Sequence, residues 1–486
     1  MTAESLRSAA LGTLMSSFPG SSLPAWLLRR VEAGLGSVAL YGSNRSVDVG
    51  EVAAALHGAR PSCVVALDEE GGDVTRIEAT TGSSLPGNAA LGAVDDVDLT
   101  SAVASALGAR LRSLGVDLDL APCADVNSDP DNPVIGVRSF GADPELVARH
   151  TAAFVTGLQA AGVAACAKHF PGHGAVAVDS HLELPVVASL GERELAPFRA
   201  AVSSGVAAVM PGHLRVPSLG DAPASVSRRI LGDLLRGDLG FGGVIVTDAL
   251  DMGGIGGPAG IPAAVVRALA AGADLCCLGP DNDDALMAAC VSAIETAVAA
   301  GDLAEDRVRS ANEHVAAQTT DIRRMRRQID RDPDLAELGR QAARRALRVE
   351  GTLPADLAGA HVVELTRPAN IAAGSVPGGA TASVLRVDPA ATATRVVEGD
   401  DRAVAHALVA AAGRPLVVVS RDAHRQPAQA AALRTLLAAR PDAVHVEEGW
   451  PGGGDPPAAA RILTYGASPA CGDAVADLLV GRITCG

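Results

Sequence analysis

AACAKHFPGHGAVAVDSHLELP, residues Ala164–Pro185, is the stretch on which the fold turns. Its first residues are small and apolar, and the run ends abruptly at Lys168 and His169. Pro171, Gly172 and Gly174 then make a loop that carries His173, Asp179 and His181. An apolar run of strand length that stops at charged chemistry reads as a buried strand reaching the mouth of an α/β fold. The pattern repeats on both sides. Cys63–Leu67 leads into Asp68 and Glu69, Val116–Ala121 into Asp125, Ala207–Met210 into His213, and Val244–Thr247 into Asp248. Ser37–Tyr41 and Asp274–Leu278 are two further strand candidates. Between them Val103–Leu114, Pro144–Ala160, Glu192–Ser203 and Pro262–Ala271 carry apolar residues at helical spacing. Strands alternating with helices imply parallel βαβ units. Seven strands and an eighth that the pattern does not place predict an α/β fold of the (β/α)₈ TIM-like barrel type. A doubly wound open sheet is the alternative. In a barrel the carboxyl ends of the strands carry the active site, which is where the ionisable residues cluster.

The chain has 486 residues, enough for two or three domains. Asp302–Val349 reads as helix, rich in Arg and Glu. A second series of strands follows at His361–Leu365, Ser383–Val387, Leu416–Ser420, Val444–Glu447 and Arg461–Tyr465. Helical patterns at Arg402–Ala412, Gln426–Ala439 and Gly472–Gly481 separate most of them. The expected division is a catalytic barrel over 1–320, a helical linker over 321–350 and a smaller parallel α/β sandwich domain over 351–486. This last region shows neither a Gly-rich phosphate loop nor a dense cluster of ionisable residues.

Composition narrows the function. Hydrophobic residues make up 48% of the chain and charged residues 20%, so a large core is available. The net charge of −16, without a basic run, argues against nucleic acid and anionic membranes as partners. No apolar stretch reaches bilayer length, and the N-terminus lacks a basic head leading into an apolar run, so a cytoplasmic location is expected. The eight cysteines are not in metal-type pairs and read as reduced, buried thiols. Six Phe, two Tyr and two Trp offer few flat faces for gripping a long polysaccharide. Lys168 is the single lysine among forty basic residues. A genome favouring Arg codons accounts for the missing lysines; the survivor marks a place where a guanidinium does not fit.

Four constellations carry the chemistry. Asp179 and His181, two apart, can pair so that the carboxylate holds one imidazole nitrogen and leaves the other to exchange protons. His169, His173 and His181 could instead ligate zinc, though the spacing is not that of a known zinc helix. In Gly243–Ile255, GVIVTDALDMGGI, a strand ends at Asp248, placed for nucleophilic attack or as a helix cap. Asp251 suits the turn, and Met252 the core. Leu67–Ile77, LDEEGGDVTRI, and Ala121–Gly141, APCADVNSDPDNPVIGVRSFG, add Asp68, Arg76 and Arg138. Together these supply carboxylates and cations around a small polyol.

These segments resemble glycoside hydrolase family 3, in its β-N-acetylglucosaminidase branch. The pattern KHFPGHG stands unbroken at Lys168–Gly174 and is followed by Asp179-Ser180-His181. The D-[QE]-EGG-x-V-x-R element falls on Asp68–Arg76, the APxxDVN…NPVIG-RSFG element on Ala121–Gly141, and the strand-end S/T-D motif on Thr247-Asp248. The motifs span about residues 60–255 in family order. Two positions depart: Asp73 stands where many members have Arg, and the first motif reads DEEGG.

The resemblance implies a retaining, exo-acting β-N-acetylglucosaminidase with Asp248 as nucleophile and His181, oriented by Asp179, as acid/base. It implies that Asp68, Arg76, Arg138, Lys168 and His169 bind a terminal sugar, with no metal and no organic cofactor. The expected substrate is a GlcNAc-terminated short chitooligosaccharide such as chitobiose. GlcNAc–anhydroMurNAc from peptidoglycan, or phosphate as acceptor in a phosphorylase, is the alternative. A decayed sugar-binding barrel would lack Asp248 or the Asp179–His181 pair, and both are present. A metal amidohydrolase would show HxH at its first strand, which here ends in Tyr41-Gly42.

Overall fold

The structure is a computed structural model that describes residues 3–176, 178, 183–326, 334–366, 374, 376–452 and 457–484. It divides into two compact units. The first comprises Met1–Glu69, Thr100–Ser128 and Ala142–Pro333; the second comprises Glu70–Leu99, Asp129–Gly141 and Asp334–Gly486. Each unit is assembled from three stretches of the chain.

The first unit is the barrel. Its strands are β1 (Leu14–Ser16), β2 (Ser37–Leu40), β3 (Val64–Leu67), β4 (Leu118–Asp119), β5 (Ala164–Phe170), β6 (Ala208–Pro211), β7 (Val244–Ile245) and β8 (Cys276–Cys277). They pair in parallel in the order β7-β6-β5-β4-β3-β2-β1-β8, and a parallel bridge between Val246 and Leu275 joins the two ends. The eighth strand is therefore β1. Three residues carry too little periodicity to be read as a strand, and only the neighbours β2 and β8 reveal it.

Alternate strand residues fill the barrel: Val64 and Ala66, Ala164 and Cys166, Ala208 and Met210, Val244 and Val246 form one buried cluster. The rows have period two. Continuing three of them by one step reaches Asp68, Lys168 and Asp248, so the strand register itself puts these side chains over the carboxyl end of the core. The opposite end holds a structural ion-pair network. Buried Asp274 accepts from Arg236 at 2.5 Å, Arg307 at 2.7 Å and the Ile245 amide at 2.9 Å.

The second unit has its own mixed sheet, of β9 (Arg348–Gly351), β10 (His361–Leu365), β11 (Thr392–Val396), β12 (Leu416–Ser420), β13 (Val444–Glu447) and β14 (Ala460–Leu463). The order is β11-β10-β12-β13-β14-β9, with only β9 antiparallel. Alternate residues of β12 face opposite cores, Val417 and Val419 on one side and Leu416 and Val418 on the other, which makes the sandwich.

Three expectations change here. Ser383–Val387 is not a strand but the end of the helix Gly379–Val387, which buries Ala380, Thr381, Ser383 and Val384 on one face. Packing overrides its β-branched composition. The strand in its place, β11, is a largely exposed edge whose polar residues hide it from a search for apolar runs. The stretch read as a bridging helix ends in β9, and its helix Leu335–Ala346 buries Gly339, Ala342, Ala343 and Ala346 within the second unit.

Candidate active site

The mouth of the barrel holds an ion pair. Lys168 Nζ donates to Asp68 Oδ1 at 2.7 Å, with the lysine side chain only 2% exposed and the aspartate 17%. An ammonium is compact enough to be enclosed there, and burial without a partner would be costly. Beneath them the Cys166 thiol is pushed up, by burial first, and it feels the charges of Lys168, Asp68, Asp119 and Asp248 together. The register rows and this shared neighbour bring Asp68, Lys168 and Asp248 to one place.

Asp248 follows β7. Its Oδ1 accepts the Ala249 amide at 2.8 Å, which orients the carboxylate. The turn beyond is held by His213, whose Nε2 lies 2.8 Å from the Ala249 carbonyl oxygen and whose Nδ1 lies 2.7 Å from Ser225 Oγ. A carbonyl only accepts, so Nε2 carries the proton and the serine hydroxyl donates to Nδ1. His213 thus fixes the backbone beside Asp248. Met252 is buried, in keeping with a core role.

Asp125, fully buried, organises the other side. It accepts the His169 ring at 2.7 Å, the His169 amide at 3.2 Å, the His173 amide at 2.6 Å and the Cys123 thiol at 3.2 Å. Burial alone would raise its carboxyl. The charge and hydrogen bond of His169, with the interactions of His173, hold it down to about 2. The proton between His169 Nδ1 and Asp125 fixes the ring's orientation. Cys123, Asp125 and His169 are a group of metal-ligating types among the described residues. Here their atoms bond to one another, and this carboxylate positions two segments of the KHFPGHG loop. Gly174 lets that loop close: a Cβ there would lie 1.8 Å from the Val126 carbonyl oxygen. The sequence placed Asp125 and His213 at strand ends but did not assign them; their roles depend on partners far away in the chain. Asp179 and His181 lie outside the described residues.

Arg76 and Arg138 belong to the second unit. Arg138 ends a tight turn and makes a two-pronged pair with Glu70, at 2.7 and 2.9 Å, with 8% of its surface exposed. Arg76 is half-buried on the segment that follows the Gly71-Gly72 turn. Asp73, the departure from the family pattern, is buried. It accepts from Arg421 and from the Ala467 amide at 3.1 Å. The cluster of ionisable residues not seen in the sequence of this region is present: Asp422 after β12, Glu447 at the end of β13 and Glu448 just beyond it are all buried, and burial pushes Glu448 up to about 7.

Residues 44–318 match the N-terminal domain of glycosyl hydrolase family 3. The chain belongs to that family. A β-hexosaminidase of Neisseria meningitidis serogroup C is 39% identical over 275 residues, covering 53% of this chain and 75% of the relative. A β-hexosaminidase of Nitrosomonas eutropha is 33% identical over 308 residues, covering 59% and 87%. β-Hexosaminidase A of Pseudoalteromonas piscicida is 42% identical over 212 residues, 39% of this chain and 35% of that protein's length. Across the whole chain the fold is similar to the family 3 β-N-acetylglucosaminidase of Paenibacillus sp. FPU-7, with TM-score 0.88, 29% identity and coverage of 100% and 98%. These relatives place the family 3 chain in the β-N-acetylglucosaminidase branch, and it is a glycoside hydrolase. No described helix is long and apolar enough to cross a membrane.

Proposed function

We propose that the chain is a retaining, exo-acting β-N-acetylglucosaminidase that releases terminal GlcNAc from short chitooligosaccharides such as chitobiose, in the cytoplasm. The observation that supports this is the Asp248 carboxylate, oriented by the Ala249 amide just after β7, at the same end of the barrel as the buried Lys168–Asp68 pair. A nucleophile and fixed charged hydrogen-bonding groups on one barrel mouth suit attack at the anomeric carbon of a single bound sugar.

In the proposed first step an Asp248 oxygen bonds to C1 as the glycosidic C1–O bond breaks, and His181 gives its proton to the leaving oxygen. In the second, His181 takes a proton from water, the water oxygen bonds to C1, and the Asp248 carboxylate leaves. Asp179 orients His181. With His181 protonated and Asp179 ionised, the pair carries no net charge. Lys168, Asp68 and His169, with Arg76 and Arg138, hold the sugar hydroxyls and acetamido group through charge-assisted bonds. No metal or organic cofactor enters either step.

Comparing kcat/KM on chitobiose, on GlcNAc–anhydroMurNAc and on an aryl β-glucoside, with and without phosphate, tests the proposal. Chitobiose is expected to rank first. Preference for the anhydro-sugar would move the substrate to peptidoglycan fragments. Sugar phosphate as product would make the enzyme a phosphorylase, and preference for the glucoside would remove the acetamido group from recognition.

Lys168→Arg supplies an independent check on the sugar-binding end. The guanidinium is larger than the enclosed ammonium and cannot bond Asp68 and a hydroxyl from the same place. Losing one charge-assisted bond, at about 1.5–3 kcal/mol, predicts a fall in kcat/KM of roughly 10- to 100-fold. Unchanged kcat/KM would remove Lys168 from the sugar site.

A further inference from the structure

We propose that the loop after β12, Arg421–Arg425, is a clamp that sets the position of Arg76 and Arg138, with Arg421 and Arg425 as positioning residues for sugar binding. This rests on the reading of Arg76 and Arg138 as sugar-binding residues.

The loop is held from below. Glu447, buried at the end of β13, accepts the Asp422 amide at 2.6 Å and the Gly449 amide at 2.7 Å through one oxygen, and the Ser420 hydroxyl at 2.7 Å through the other. Asp422 takes a left-handed backbone, φ +53°, and its own carboxylate accepts the Trp450 amide at 2.8 Å and pairs with Arg425 at 2.7 Å. The two carboxylates thus tie the loop to the backbone after β13 and hold the stretch that carries Arg421 and Arg425.

Arg421 reaches the segment that carries Arg76. It pairs with Asp73, whose second oxygen takes the Ala467 amide. Asp73 leaves a tight turn: Gly71 and Gly72 have φ of +74° and +60°, and Glu70 and Val74 close it with an amide-to-carbonyl bond of 3.1 Å. Gly72 has no room for a side chain, since a Cβ would lie 2.7 Å from Gly87 Cα. Anchoring Asp73 therefore anchors the turn, and Arg76 follows three residues later.

Arg425 reaches the segment that carries Arg138. It donates to the Asn132 carbonyl, and His424 Nε2 donates to the Pro130 carbonyl at 3.0 Å. The Asn132 side chain accepts the Val134 and Ile135 amides at 2.9 and 2.8 Å, which starts the turn that ends at Arg138. Glu70, at the head of the first segment, receives the Arg138 fork. The contacts thus form a closed ring: Arg421 to Asp73, Glu70 to Arg138, Asn132 to Arg425. Buried ion pairs of this kind add little net stability over apolar packing but have strong geometric preferences. Displacement of a substrate-positioning group by about 1 Å can cost on the order of 10²-fold.

The experiment uses the full chain and an aryl β-N-acetylglucosaminide, with KM, kcat and Tm measured for Arg421→Gln, Arg421→Lys, Asp73→Asn and the Asp73→Asn/Arg421→Gln double variant. Arg421→Gln and Asp73→Asn are expected to raise KM about tenfold or more, with kcat changed far less, because a displaced binding group weakens ground and transition states alike. The double variant should be no worse than the worse single one, since both singles break the same pair. Arg421→Lys should recover part of the loss. A lower Tm with KM within about twofold of the parent makes the pair a stabiliser only and overturns the clamp. If Arg421→Gln does not fold, a folded Arg421→Lys with unaltered KM does the same. Arg76→Ala and Arg138→Ala separate the two ideas. If they leave KM unchanged, the sugar-binding reading fails. If they raise it while Arg421→Gln does not, that reading stands and the clamp alone is wrong.

Discussion

Asp248→Asn is expected to abolish turnover while leaving the fold intact. The amide keeps the shape and the size of the side chain, and its oxygen can still accept the Ala249 amide that orients the carboxylate at 2.8 Å. What it cannot do is form and release a glycosyl ester, so kcat should fall by several orders of magnitude. Thermal unfolding should shift little, because the substitution keeps the size of the side chain and Lys168 keeps its pairing with Asp68. A slow fluoro-sugar substrate should label Asp248 in the parent and no other carboxylate. Near-normal activity in a folded Asp248→Asn chain would place the nucleophile elsewhere.

His181→Ala should divide substrates by leaving group. Proton transfer by a positioned group contributes roughly 10²–10⁴-fold, and that help matters most where the departing oxygen is a poor leaving group. Chitobiose hydrolysis should therefore collapse, while formation of the glycosyl-enzyme from an activated aryl glycoside should survive far better. The second step loses its base in both cases, so azide should rescue release from the activated substrate. Equal slowing of glycosylation for both substrates, without azide rescue, would make His181 a positioning residue and turn the search for the proton donor to Glu183 or His173.

Much of the barrel was legible because a (β/α)₈ core writes itself locally. Strands buried on both faces must be short and apolar, so Cys63–Leu67 or Val244–Thr247 stand out, and the first hydrophilic residues after them fall at the mouth. Asp68, Lys168 and Asp248, picked out in the sequence as the polar residues at strand ends, continue the inward rows of their strands by one step. β1 escaped because three residues hold no period. β11 escaped because an exposed edge has no apolar face, and Ser383–Val387 misled because β-branched residues can serve a packed helix as well as a strand.

The amino-acid sequence by itself therefore determined the fold class and which ionisable residues stand at the strand ends, since apolar periodicity and contiguous motifs are properties of neighbouring residues. Only the tertiary structure decided what the isolated polar residues do. Asp125 is a buried acceptor for Cys123, His169 and His173, His213 is the brace of the Asp248 turn, and Asp73 is a partner of Arg421 almost three hundred and fifty positions away. A carboxylate or imidazole looks the same in a sequence whether it will meet water, sugar or an amide. Its role is set by which hydrogen-bonding groups the packed core brings within about 3 Å, and that distance exists only once the chain has folded.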